Sequence, residues 1–100
     1  MSDWFTVTPE RERLLSEERL ILNATEKVYE ALEFTQDTKK SLSEKLGISK
    51  SEVGQRLSGR RNLTIRSLAS MLYALGYEAT IGIRPLTGHN GIPRDDLVLR

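Results

Sequence analysis

TKKSLSEKLGISKSEVGQRLSG, residues 38–59, is the stretch that decides the fold. Its apolar residues recur at helical spacing on both sides of Gly47, which predicts two short helices joined by a tight turn. Thr38 is placed to cap the first helix and Gly47 to end it, because glycine adopts the left-handed conformation without steric cost. Ser49 and Glu52 have the spacing of a capping box and open the second helix, which ends before another glycine.

The same stretch supplies part of a small hydrophobic core. Leu42 and Leu46 lie four residues apart and therefore share one face of the first helix. Val53 and Leu57 have the same spacing in the second helix, and Ile48 lies in the turn between the two. We expect all five side chains to be buried.

A long helical pattern precedes this unit. The sequence TPE at residues 8–10 combines a capping hydroxyl, a proline for the first helical position and an acid. The pattern runs to about Phe34, either as one helix or as two with a bend at Asn23, and residues 33–37 are then a linker. The residues expected on or beside the buried face are Leu14, Ile21, Leu22, Thr25, Val28, Tyr29 and Leu32.

A further helix follows the unit. Thr64 is its expected cap, and Gly76 is placed to end it. Leu63 and Leu68 flank the cap as a hydrophobic staple. The expected core stripe of this helix is Ile65, Leu68, Leu72 and Leu75.

From residue 78 the apolar period changes from helical to alternating, which predicts a strand that Pro85 ends. No other segment of the chain offers a strand to pair with it, and a lone strand leaves backbone groups without partners. We therefore expect Ala79, Ile81 and Ile83 to form a dimer contact, with the strand paired to its equivalent in a second copy as an antiparallel ribbon. Pairing with a different protein is the alternative.

Positive charge is concentrated in residues 38–66. They hold eight basic and two acidic residues, a net charge of +6, although the whole chain carries only +1. The rest of the chain is correspondingly acidic, and so is its N-terminal helix. A compact helical corner with concentrated positive charge is typical of proteins that bind a polyanion.

Composition and motifs exclude several classes of function. One hundred residues make one domain, and no cysteine is present for a disulfide, a thiolate metal site or a thiol nucleophile. No run approaches the roughly 20 apolar residues of a membrane span, and the N-terminus lacks a signal-peptide pattern, so we expect a cytoplasmic protein. His89 is the only histidine, no serine has a nearby base and no phosphate-binding loop occurs, so we expect no enzyme, metal site or cofactor.

The linked motifs carry a family resemblance. LSEKLGIS at residues 42–49 is similar to the second helix and turn of the XRE family, whose helix-turn-helix fold is that of the phage lambda and Cro repressors. LSGRRNLT at residues 57–64 and ALGY at residues 74–77 resemble the branch of small prophage regulators and HigA-like antitoxins. The resemblance covers residues 21–77. Together with the patterns on either side of it, the resemblance predicts a mainly α fold: a lambda repressor-like helix-turn-helix bundle with a long N-terminal helical segment and one C-terminal β-strand that pairs in a dimer.

This resemblance divides the chain into four parts. They are an arm and helix extension at residues 1–18, the DNA-binding domain at 19–77, the strand at 78–86 and a tail of loop at 87–100. Two explanations are open for Trp4 and Phe5 in the arm, which either cover the core or contact a second copy.

The resemblance also implies roles for individual residues, because the third helix of this fold enters the major groove. The base-reading residues implied are Lys50, Ser51 and Gln55. The residues implied to contact the DNA backbone or approach it closely are Thr38, Lys39, Ser49, Gly54, Arg56, Arg60, Arg61 and Asn62. Lys39 stands where family members often carry glutamine, so its contact becomes that of a point charge. Gly54 has two explanations, close approach to DNA or close packing against the preceding helix.

The function implied is sequence-specific regulation of transcription. A homodimer would bind a palindromic operator of double-stranded DNA and repress a phage, prophage or bacterial operon. The alternative is an antitoxin that neutralises a toxin protein and autoregulates its operon. A third possibility is a binding module whose acidic helix recruits another regulator.

Overall fold

The computed structural model describes residues 8–59 and 63–86, and this part of the chain is mainly helical. Its helices are α1 (Pro9–Thr35), α2 (Lys39–Leu46), α3 (Lys50–Arg56) and α4 (Ile65–Ala74). The predictions made for the arm with Trp4 and Phe5, for Arg60, Arg61 and Asn62, and for the tail with His89 lie outside the described residues.

Helix α1 begins where the sequence predicts and continues as one helix of 27 residues without a break at Asn23. Thr8 Oγ1 accepts a hydrogen bond from the backbone N–H of Arg11 at 3.1 Å. The helix ends at Thr35, and the next residue, Gln36, caps it with a φ of 61° in the left-handed region, so α1 takes up the first residues of the predicted linker. No helix in the described part of the chain is both long and apolar enough to cross a membrane.

The predicted caps of α2 and α3 are confirmed. Thr38 Oγ1 accepts from the N–H of Ser41 at 3.0 Å, and the Ser41 hydroxyl accepts in return from the N–H of Thr38 at 2.8 Å. Gly47 ends α2 with a φ of 71°, and Ser49 Oγ caps α3 by accepting from the N–H of Glu52 at 2.9 Å. These local bonds fix the start of α2 and the start of α3, and a three-residue turn joins the two helices.

The core lies where the C-terminal half of α1, α2, α3 and α4 meet. Its buried apolar residues are Val28, Ala31, Leu32, Leu42, Val53, Leu57, Met71, Leu72 and Leu75. Leu46, Ile48, Leu63 and Leu68 pack against this cluster while partly exposed. Thr25 and Ser43 are buried with it, and each hydroxyl bonds a backbone carbonyl of its own helix.

Several residues predicted to lie on or beside the core are exposed. Ile65 is 70% exposed, and Met71 is fully buried in its place. Ile65 is the first residue of α4 and lies at the edge of the stripe, whereas Met71 lies one turn before Leu75 at the centre of the helix. Leu14 is also exposed, because α1 extends beyond the other helices there, and Leu22 and Tyr29, predicted beside the buried face, are 58% and 41% exposed.

The predicted strand is absent from the described chain. Residues 77–86 have no regular secondary structure, and Ala79, Ile81 and Ile83 are exposed. A strand needs a neighbouring backbone to bond, and no described segment of the same chain provides one. Tyr77 anchors the start of this segment, because its ring lies 6.3 Å from that of Phe34 on α1.

Candidate nucleic-acid interface

The candidate interface is the outer surface of α2, the turn and α3. Val53 and Leu57 bury one side of α3, which leaves Lys50, Ser51 and Gln55 exposed. Lys50 lies one turn before Gly54, and Ser51 one turn before Gln55, so the four positions form two adjacent rows on the helix surface. The three implied base-reading side chains therefore lie together on one continuous patch.

Gly54 lies in the middle of this patch and is not required by packing. A Cβ atom built at Gly54 would meet no atom within 4 Å. Of the two explanations offered by the sequence, close packing against α2 is therefore wrong for the free protein. The structure leaves open space over the backbone of α3 at this point.

The N-terminus of α2, on the same two-helix unit, presents free backbone donors. The backbone N–H groups of Lys39 and Lys40 lie in its first turn, and neither donates to a described residue. The hydroxyl of Thr38 is already used in the capping bond. The partial positive charge of a helix N-terminus and two lysines therefore coincide at this end of α2.

The side chain of Lys39 is held by an aromatic ring that sequence reasoning did not connect to the site. Its Nζ lies 5.5 Å from the centroid of the Tyr29 ring on α1. A cation over a ring face is attracted by the ring quadrupole, here at a partly exposed site. Tyr29 was expected beside the buried face, and its separation of ten residues from Lys39 gave no signal of this contact.

Asp37 forms a second cluster that sequence reasoning missed, since it placed this residue in a linker. Its Oδ1 accepts from the Ser41 hydroxyl at 2.9 Å, and its Oδ2 accepts from Lys45 Nζ at 3.1 Å. Its side chain is only 16% exposed. Hydrogen bonding by Thr35, then by Ser41 and Lys45, lowers the pKa of Asp37 from its ordinary value of 3.8.

This lowered pKa predicts a pH-dependent contribution of Asp37 to stability. A carboxyl with a lower pKa in the folded protein stabilises the fold above its ordinary pKa, and the contribution is lost as the pH falls through the folded value. We expect Asp37→Asn to lower the thermal midpoint at neutral pH, and the difference from the original protein to shrink below pH 3.8. Thermal melts of both proteins at several pH values measure this difference, and Glu26→Gln, at an exposed position of α1, is the control.

Arg56 differs from its implied role as a free backbone contact. Its Nε donates to Glu52 Oε2 at 3.0 Å within α3, and both side chains are partly shielded from solvent. Part of its guanidinium is therefore used inside the helix. Lys40, Lys50 and Arg66 are exposed, and none of them forms an ion pair among the described residues.

The described residues give little support for a metal site or an enclosed ligand site. In residues 8–59 and 63–86 no group of three or more His, Cys, Asp or Glu side chains is placed to hold a metal ion. An open, shallow surface on α4 is lined by Ile65, Arg66, Ala69, Ser70 and Tyr73. It does not enclose a ligand.

No protein-family model, curated protein or solved structure matches the chain. The candidate site is therefore defined by the surface of α2 and α3. Thr38, Lys39, Ser49, Lys50, Ser51, Gly54 and Gln55 all lie on this unit. It offers hydrogen-bond donors and acceptors, positive charge and an uncovered stretch of backbone.

Proposed function

We propose that this protein is a sequence-specific regulator that binds double-stranded DNA through a helix-turn-helix of the XRE type. The observation that carries the proposal is the exposed patch of α3, where Lys50, Ser51 and Gln55 surround a glycine that packing does not require. In this role the protein acts in the cytoplasm of a bacterial cell or a phage-infected host. It represses an operon by occupying an operator.

The dimensions of α3 suit the major groove. Its seven residues make a helix about 10 Å long, and the groove is about 12 Å wide. Lys50 donates to the acceptors of guanine, and Gln55 bonds an adenine through both groups of its amide. The hydroxyl of Ser51 can bond to several different bases. These three contacts supply the sequence reading.

Contacts to phosphate come from α2. The free N–H groups of Lys39 and Lys40 point at a phosphate placed on the helix axis, and the ammonium of Lys39 adds charge. Residues 38–59 carry five basic and two acidic residues, so the whole unit is attracted to the DNA backbone. Lys45 contributes less, because Asp37 already pairs with it.

A homodimer gives the footprint that one copy lacks. Two copies related by a two-fold axis read half-sites about 34 Å apart on one face of the duplex. Ala79, Ile81 and Ile83 are exposed in a segment whose backbone has no sheet partner among the described residues. Pairing of this segment with its equivalent forms the antiparallel ribbon of the dimer.

A second candidate function is an antitoxin that binds a toxin protein and represses its own operon. The exposed apolar residues of the segment after α4, Ile81 and Ile83, favour it because a partner protein would cover them. Co-expression with the product of an adjacent reading frame tests this function. A stable complex that protects cells from that product supports the antitoxin role.

Gly54→Ala is expected to move stability and DNA affinity in opposite directions. Alanine raises the free energy of unfolding by about 1 kcal/mol, since glycine costs that much inside a helix and the added Cβ meets no atom. The same methyl group occupies space into which DNA is proposed to approach, so operator affinity falls roughly tenfold. Denaturant unfolding and DNA binding measure the two effects. Unchanged affinity would contradict close approach at this position.

The proposal is tested by titrating the protein against the DNA upstream of its own gene and against a scrambled duplex over a range of salt. We expect the upstream duplex to bind at least about 1,000-fold more tightly and to survive competitor DNA. For both duplexes, the logarithm of the binding constant should fall linearly with the logarithm of the salt concentration, with a slope of about 0.9 per phosphate neutralised. Equal binding to both duplexes would refute sequence reading by the protein.

A further inference from the structure

The N-terminal half of α1 is a helix without cover. Residues 8–20 are all exposed, although the helix continues unbroken into the core. Leu14 and Leu15 are 48% and 50% exposed. Helices shorter than about 12–15 residues are marginal in water on their own, and most gain stability by packing an apolar face. Leu14 and Leu15 therefore form an apolar surface that no described residue covers.

Charges on the same side of the helix show what fits this surface. Arg11 lies one turn before the Leu14–Leu15 pair, and Glu18 lies one turn after it. The two charges are seven residues apart and share one line along the helix, about 10 Å from each other. Neither forms an ion pair among the described residues. A basic end and an acidic end on either side of an apolar centre make the surface complementary to itself.

We propose that this surface binds α1 of a second copy of the chain, with the two helices antiparallel and a two-fold axis passing near Leu14 and Leu15. This arrangement places Arg11 opposite Glu18 of the partner subunit, and Glu18 opposite Arg11 of the partner subunit. A parallel arrangement would instead bring like charges together. The leucines of the two helices form the apolar centre of the contact.

The contact adds to the homodimer of the proposed function and rests on that homodimer, but not on DNA binding. A two-stranded ribbon from residues 78–86 is marginally stable at best in water, so the dimer needs a second apolar contact. An isologous interface requires a self-complementary patch, which the sequence around Leu14 and Leu15 supplies. Trp4 and Phe5 of the same chain, or a different protein, are the other possible occupants.

The proposed charge contacts are tested by measuring the dissociation constant of the dimer, by sedimentation equilibrium of the full chain. Arg11→Glu and Glu18→Arg, made singly, each turn two attractions into two repulsions, and we expect each to raise the constant roughly tenfold. The double variant carries the same charges exchanged, and is expected to return to within roughly threefold of the original value. Arg13→Glu is the matched control, because it makes the same change roughly 160° around the helix.

The leucines give a second measurement. Leu14→Ser with Leu15→Ser is expected to raise the dissociation constant at least roughly 100-fold. The monomer should keep its thermal midpoint, since both side chains are exposed in the single chain. A loss of thermal stability that does not depend on protein concentration would overturn the proposal, and would indicate that Trp4 and Phe5 cover the leucines.

Other outcomes separate this inference from the proposed function. A dimer that survives all the α1 variants but is lost in Ile81→Lys with Ile83→Lys would overturn the α1 contact and leave the strand dimer standing. A protein that stays monomeric at all concentrations would overturn both. If the charge exchange restores the dimer and no duplex is bound specifically, the α1 contact holds and the DNA-binding proposal fails.

Discussion

Alanine at both Lys50 and Gln55 is expected to lower affinity for the specific operator by roughly 100-fold to 1,000-fold, because each good base contact contributes about 1–3 kcal/mol of discrimination. Binding to a scrambled duplex is expected to fall much less, by the loss of one positive charge from the unit. Both side chains are exposed and make no described hydrogen bond, so the fold should be unaffected. Fluorescence anisotropy with both duplexes at one salt concentration measures the ratio of the two affinities.

The control for this prediction is Lys27→Ala on α1, which removes the same charge away from the proposed interface. Lys27 pairs only with Glu30, at 3.6 Å and well exposed, so its loss has little effect on stability. We expect Lys27→Ala to leave the ratio of specific to scrambled affinity unchanged. If the double variant lowers both affinities equally, Lys50 and Gln55 act through charge alone and α3 does not read sequence.

The parts of the candidate site that follow from local rules were predictable from sequence. Thr38 and Ser49 cap their helices as their spacing predicts, because a cap joins residues three apart. Exposure of Lys50 and Gln55 follows from burial of Val53 on the other side of one short helix. These relations need no knowledge of the tertiary structure.

The pairing of charged side chains was not predictable in the same way. Lys39 lies over Tyr29, and Lys45 bonds Asp37, because α1 ends and α2 begins at particular angles to each other. The sequence shows which residues are charged, but the tertiary structure determines which of their long side chains come within reach of each other. The basic residues of 38–66 are therefore of two kinds. Some, such as Lys50, form no ion pair among the described residues, and others, such as Lys45, are already paired with a carboxylate.

The fold, too, was predictable where local rules determine it and not where tertiary contacts do. The starts of α1 to α4 follow from their caps and the end of α2 from Gly47, and three of the four predicted residues of the α4 stripe, Leu68, Leu72 and Leu75, contact or form the core. Periodicity alone does not show which residues of a helix lie opposite a neighbour, so Leu14 and Ile65 were wrongly expected to be buried. A strand depends on a partner backbone, and residues 78–86 have none in the described part of one chain.

Met71→Ala is expected to be among the most destabilising single substitutions in α4. Its side chain is completely buried in the cluster with Val28, Leu42 and Val53. Removing a buried methionine side chain leaves a cavity and lowers the free energy of unfolding by about 2–5 kcal/mol. A domain of this size has a total of about 5–15 kcal/mol, so the variant loses a large share of its stability. Chemical denaturation followed by circular dichroism measures the loss.

Ile65→Ala on the same helix is the matched control for this prediction. Periodicity places Ile65 in the core stripe, whereas the structure leaves it 70% exposed at the first turn. We therefore expect its replacement to change the free energy of unfolding by no more than about 0.5 kcal/mol. Both variants are compared at one protein concentration, because a dimer would stabilise each of them by mass action. A larger loss at Ile65 than at Met71 would mean that α4 packs on the core through the opposite edge of its apolar stripe.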